Sequence, residues 1–223
     1  MTENKECWLK NECNQKDCGD FCMRLFKLDY LYKEALISAQ QRKHVALCID
    51  ADGTDEDAFI KLKNIENNIE DFIAQGKNLY IHSTNTGNGK SSWALRFVQT
   101  YFNKIWLKSS LRCKALFINV PRFLLALKEN ISDRSDYVAH IKENMLTADI
   151  IIWDDIATKQ TSIFESEHLY SMIEARIAEG KSNIFTSNLT ALEMHKSLGD
   201  RLYSRIVNLS QDIELNGADK RGI

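Results

Sequence analysis

Gly87 and Gly89 stand two residues apart, and Lys90, Ser91 and Ser92 follow them directly. Glycines at this spacing let backbone N–H groups turn inward around an anion, and a helix beginning just after them adds positive potential. Lys90 would reach the β- and γ-phosphates of a nucleoside triphosphate, and the Ser91 hydroxyl would be a ligand for Mg²⁺. With Thr86 and Asn88, the candidate phosphate-binding set is Thr86, Gly87, Asn88, Gly89, Lys90, Ser91 and Ser92. Thr84 takes the place of the first glycine in the G-x-x-x-x-G-K-[ST] pattern, so the match is to its G-x-G-K-S core.

A second signal is the pair Asp154 and Asp155, which ends the apolar run Ile150, Ile151, Ile152, Trp153. A buried parallel strand that ends in carboxylates delivers them to the carboxyl edge of its sheet, where open α/β folds bind ligands. Asp154 is placed to hold Mg²⁺ and Asp155 to polarise an attacking water. Alone, either motif reads as an ordinary turn or strand end; together they favour ATP and Mg²⁺ as ligands.

The third group is Cys7, Cys13, Cys18 and Cys22, on a polar segment with no apolar period of its own. Thiolates on a segment too short to build a core suit a structural metal, Zn²⁺ first. An iron–sulfur cluster, or no metal at all, are the alternatives. Cys48 and Cys113 stand apart and read as small buried residues.

These groups need elements to hold them. Leu25, Leu28, Leu31 and Leu36 recur at helical spacing, which predicts a helix reaching about residue 40. Residues 51–57 carry four acids and a glycine and read as a linker. A helix over 59–73 with Gly76 at its cap comes next, followed by strand 79–82, helix 91–105 and strand 115–120. A helix entered through Pro121, strand 149–153, helix 164–179 stopped by Gly180 and strand 183–186 complete the pattern. Strands alternating with helices imply a three-layer α/β domain with a parallel sheet. The expected division is a Cys-rich N-terminal unit over 1–50, the linker over 51–57 and the α/β domain over 58–223.

The 223 residues are 44% hydrophobic and carry a net charge of −2, so the chain can bury a core but has no bulk field to attract a polyanion or a membrane. No apolar stretch approaches the length of a membrane span, and the N-terminus lacks a leader pattern, so the expected location is the cytoplasm. Lysines and arginines are scattered, which assigns no DNA contact.

Over TGNGKSSWA, DIIIWDD, NIFTSNLT, GDRLYSRI and ELNGADKRG, the chain resembles the DnaC/DnaI/IstB-type AAA+ ATPases, in particular the replicative helicase loaders of phages of Gram-positive bacteria. The resemblance implies a three-layer P-loop AAA+ domain, homo-oligomeric assembly into a ring or spiral, and ATP held between subunits. It implies that Asn188 is the sensor amide near the γ-phosphate, that Arg205 is the arginine finger and that Arg201 supports it. It also implies a DnaB-family replicative helicase and single-stranded DNA as partners, with the N-terminal unit docking on the helicase through anchors drawn from Phe21, Leu25, Tyr30 and Tyr32. Asp155 stands where many members have Glu, which predicts slow, switch-like hydrolysis, and the short C-terminus predicts no lid-borne second sensor. An IstB-like transposition helper, a non-catalytic helicase adaptor or inhibitor, and a metal-dependent DNA-binding regulator are the competing readings.

Overall fold

The computed structural model describes residues 7–9, 13, 21–42, 47, 53–130, 133–157 and 161–220. Five short strands, β1 (Asn78–His82), β2 (Ala115–Asn119), β3 (Ile150–Asp154), β4 (Ser182–Ser187) and β5 (Gln211–Glu214), form one sheet in the order β2-β3-β4-β1-β5. Every pairing is parallel. All five residues of β3 are buried, as a strand covered on both faces requires.

Alternation along the strands divides the interior in two. Leu79, Ile81, Phe117, Ile150, Ile152 and Ile184 face one layer of helices, α1 (Met23–Glu34), α2 (Glu56–Asn67), α3 (Ile69–Ala74) and α4 (Lys90–Ile105). Leu116, Ile118, Ile151, Trp153 and Phe185 face the other, α5 (Val120–Glu129), α6 (Asp136–Asn144), α7 (Ile163–Ala178) and α8 (Ala191–Tyr203). The expected three-layer α/β architecture is therefore observed.

The elements differ from expectation in detail. The first helix stops at Glu34, where Leu36 takes a left-handed φ of 62°, and the second is broken at Asn68 into α2 and α3. Two helices rather than one lie between β2 and β3, the second started by Ser135, whose hydroxyl accepts from the Val138 N–H. Helix α8 bends at Gly199 and passes into a π-helical turn, Ser204–Asn208, before β5.

Helix α1 is fastened to the α/β core. Its Lys27 ammonium donates to the carbonyls of Leu107 (2.9 Å) and Ser109 (3.2 Å), and the Tyr30 hydroxyl donates to the Leu111 carbonyl at 3.1 Å. Just beyond it, the Phe117 N–H of edge strand β2 donates to the Ala35 carbonyl at 2.8 Å, covering part of an otherwise open sheet edge. Tyr32 is buried against Trp8 and Phe102, so it packs the core rather than serving as an exposed anchor. Leu25 is likewise packed on the core, whereas Phe21, Met23 and Phe26 are exposed. No helix among the described residues is long and apolar enough to cross a membrane.

The arginine of α7 shows how tightly the layers are joined. Arg176 is fully buried; its guanidinium donates to the Asn183 side-chain oxygen (2.9 Å) and to the carbonyls of Ala148 (3.0 Å), Ser182 (2.7 Å) and Met145. Asn183 also accepts from the Trp153 indole at 3.1 Å and donates to Asn78 at 3.0 Å. One network thus links α7, β4, β3 and β1 toward the amino ends of β1 and β4, satisfying groups that would be costly to bury alone.

Candidate nucleotide site

The turn between β1 and α4 needs two left-handed residues, and glycine supplies both: Gly87 has φ 74° and Gly89 φ 103°. Lys90 opens α4 with its side chain folded back into the loop, its Nζ donating to the Asn85 carbonyl at 2.8 Å and to Asn88 Oδ1 at 3.0 Å. The residue is 5% exposed, so an ammonium is held inside the glycine turn at the start of a sixteen-residue helix. That arrangement can receive a polyphosphate.

Asp154, the last residue of β3, faces this loop. It is 6% exposed, and the side chains of Ser91, Thr186 and Asn119 hydrogen-bond to it. Its pKa is raised, chiefly because burial removes water from the carboxylate and further because the Asp155 charge lies beside it; the three hydrogen bonds oppose the rise. The Ser91 contact joins the two sequence motifs, since Ser91 is the residue next to Lys90. Hard oxygen donors around a desolvated carboxylate suit Mg²⁺, and Ser91 and Asp154 are the side chains that could hold it. When bound, the ion would neutralise charge on the phosphate oxygens.

Asp155 turns away from the strand with φ 55°, and Ala157 follows with φ 66°. Two non-glycine residues in the left-handed region within one turn are strain, which clusters at functional sites. Thr186 fixes the turn: its hydroxyl donates to Asp154 Oδ1 at 2.8 Å and accepts the Asp155 N–H at 2.9 Å. The Asn188 amide donates to Asp155 Oδ1 at 3.0 Å. A carboxylate and an amide so joined can share the orientation of one water molecule.

Lys90, Ser91, Asp154, Asp155 and Asn188 are thus brought together. Thr86 is exposed on the loop, Asn88 is buried beneath it, and Ser92 follows in the first turn of α4. Arg205 is elsewhere, in the π-helical turn, where its Nη2 donates to Glu174 Oε1 at 3.0 Å and its Nε pairs with Oε2. Arg201 is exposed on α8. Thr186 and Asn119 went unread in the sequence; Asn119 both bonds Asp154 and caps α5 by accepting the Arg122 N–H at 3.2 Å.

The cysteine group is different. Cys22 starts α1, its sulfur accepting the Leu25 N–H at 3.5 Å, and Cys7 packs on the core. Cys18 lies outside the described residues, and among the described residues no three His, Cys, Asp or Glu side chains form a group able to hold a metal.

The chain is similar to the crystal structure of a DnaC helicase loader, with TM-score 0.62 and 16% identity over 80% of this chain and 100% of that one. It has AAA+ architecture. A DnaI structure gives TM-score 0.61 at 18% identity, covering 85% of this chain and 100% of that chain. AMPPCP-bound DnaA from Aquifex aeolicus gives TM-score 0.56 at 15% identity, over 73% of this chain and 46% of that longer one. No protein-family model matches the sequence. No curated protein matches it either. At these identities the likeness is one of fold.

Proposed function

We propose that this protein is an ATP-dependent loader that binds a DnaB-family replicative helicase and delivers it to single-stranded DNA. The observation carrying the ATPase part is the Ser91 contact to Asp154, which sets the phosphate loop and the sheet-edge acids around one point. The loader part is supported by the fold shared with DnaC and DnaI over the whole of those chains.

In this reading Lys90 leaves its loop partners for the β- and γ-phosphates, and Ser91 and Asp154 would hold Mg²⁺, which would neutralise charge on the phosphate oxygens. Asp155 accepts a proton from the attacking water while Asn188 keeps the carboxylate and water aligned. Arg205 of one subunit reaches the nucleotide of the next in a ring or spiral, with Arg201 in support, so hydrolysis follows assembly. The segment 1–50 docks on the helicase, and a structural Zn²⁺ on the four cysteines would order the docking unit. Phe21, Met23 and Phe26 supply an exposed apolar face suited to that contact.

The test is co-purification with a hexameric replicative helicase, followed by an assay of delivery to single-stranded DNA. Wild type should capture the helicase and deliver it. Lys90→Ala should capture but fail to deliver. Undiminished delivery by Lys90→Ala would make the protein an adaptor, and failure to bind any such helicase would end the loader reading while leaving nucleotide binding intact.

A further inference from the structure

The segment after β5 runs back across the phosphate loop. The Leu215 N–H donates to the His82 carbonyl at 2.9 Å, extending the strand pairing toward the loop. From there the loop's own asparagines hold the segment. Asn88 Nδ2 donates to the Leu215 carbonyl at 3.1 Å, and Asn85 Nδ2 donates to the carbonyls of Asn216 (2.9 Å) and Gly217 (3.3 Å). Farther on, the Lys220 N–H donates to the Gly87 carbonyl at 3.0 Å.

The other side of the segment is gripped by one carboxylate. Asp55 accepts the Asn216 N–H at 2.6 Å and the Gly217 N–H at 2.7 Å. An aspartate at the N-terminus of a helix ordinarily spends its oxygens on that helix's free amides. Asp55 stands at that position for α2 and makes no such bond; it also sits at φ 71°, a left-handed conformation that disfavours any residue with a Cβ. Two local costs are borne for a contact 161 and 162 residues away along the chain.

We infer that residues 215–220 are a brace for the phosphate loop and that Asp55 is the positioning residue that sets it. The same atoms join brace and ligand site. Asn88 holds the Leu215 carbonyl with its amide nitrogen and the Lys90 ammonium with its amide oxygen, and Lys90 also donates to the carbonyl of Asn85, whose side chain grips Gly217. A phosphate that draws Lys90 away therefore alters the two asparagines on which the brace hangs. Nucleotide affinity depends on the brace, and the brace registers the nucleotide. This rests on the nucleotide reading above.

Hydrogen exchange of the peptide covering 211–220 in the full-length chain, with and without ADP, tests it together with ADP affinity and melting temperature for Asp55→Ala, Asp55→Asn and Asn85→Ala. ADP should change exchange at Asn216 and Gly217 in wild type. Asp55→Ala should weaken ADP binding about tenfold, near 1.4 kcal/mol, with Asp55→Asn in between because one acceptor survives, and with the global fold retained. If wild type binds ADP but exchange in 211–220 does not respond, or if Asp55→Ala and Asn85→Ala free the segment without changing affinity, the brace is refuted alone. If wild type binds no ADP, the brace and the nucleotide reading fall together.

Discussion

Asp154 carries its carboxyl in a place that resists charge. Burial is the largest cause of its raised pKa, so the native state holds this proton more tightly than the unfolded chain does. Its contribution to stability is therefore most favourable below the unfolded value and declines as pH rises through the folded one. Asp154→Asn removes that penalty while keeping an oxygen for Thr186 to bond. The nucleotide-free variant should melt about 2–4 °C higher, the shift about 1 kcal/mol gives a domain of this size, and should lose Mg²⁺-dependent hydrolysis. A lower melting temperature would show that the carboxylate's hydrogen bonds outweigh its desolvation. One residue on, Asp155→Asn and Asn188→Ala should each lower kcat by roughly 10²-fold or more, on the scale of a lost aligning group, with ADP affinity nearly unchanged. Lys90 and Asp154 were legible in the sequence because glycines and an apolar run mark their surroundings. Thr186 and Asn119 were not, since a lone Thr or Asn at a strand end has no pattern. Thr186 reaches Asp154 only through the register that pairs Trp153 with Phe185, one residue before each.

Among the elements, the ends of α3 and α7 meet. Gly76 and Gly180 each follow a helix, with φ 62° and 63°, and each leads toward a strand of the adjacent pair β1 and β4. A Cβ added at Gly76 would lie 2.4 Å from the Gly180 carbonyl oxygen, whereas one at Gly180 would meet nothing within 4 Å. Both alanine variants incur the left-handed cost of about 1–2 kcal/mol, but only Gly76→Ala adds a backbone clash. Calorimetry should find Gly76→Ala the less stable of the two by at least about 1 kcal/mol; equal melting temperatures would mean the two turns separate readily. The sequence announced these stops, because glycine after a helical period is a strong signal. It announced β5 poorly: of Gln211–Glu214 only Ile213 is buried, so one residue carries the apolar pattern. The break at Asn68 was equally hidden, since the apolar period continues across it and only the bend separates α2 from α3.

At the scale of the whole molecule, four of the sheet's five strands and its two helical layers followed from the alternation of strand and helix patterns, while no pattern in the sequence marked the ion pair that Arg205 makes. Within one subunit Arg205 is paired with Glu174. If it acts on a neighbour's nucleotide, hydrolysis per subunit should rise with protein concentration in wild type and stay flat in Arg205→Ala, with a loss on the order of 10³-fold at saturation. Equal rates at every concentration would confine Arg205 to its ion pair. The sixteen-residue helix α4 begins at Lys90, in the glycine turn, and ends under α1, where Lys27 and Arg24 grip the Leu107 and Asn103 groups near its last turn. Such a rod is about 24 Å long. A pivot of about 5° at its phosphate end would carry its far end through about 2 Å, roughly the width of a hydrogen-bond contact. Trp106, with the Arg24 guanidinium 5.9 Å from its ring centroid at that far end, is a native fluorophore that would report such a tilt.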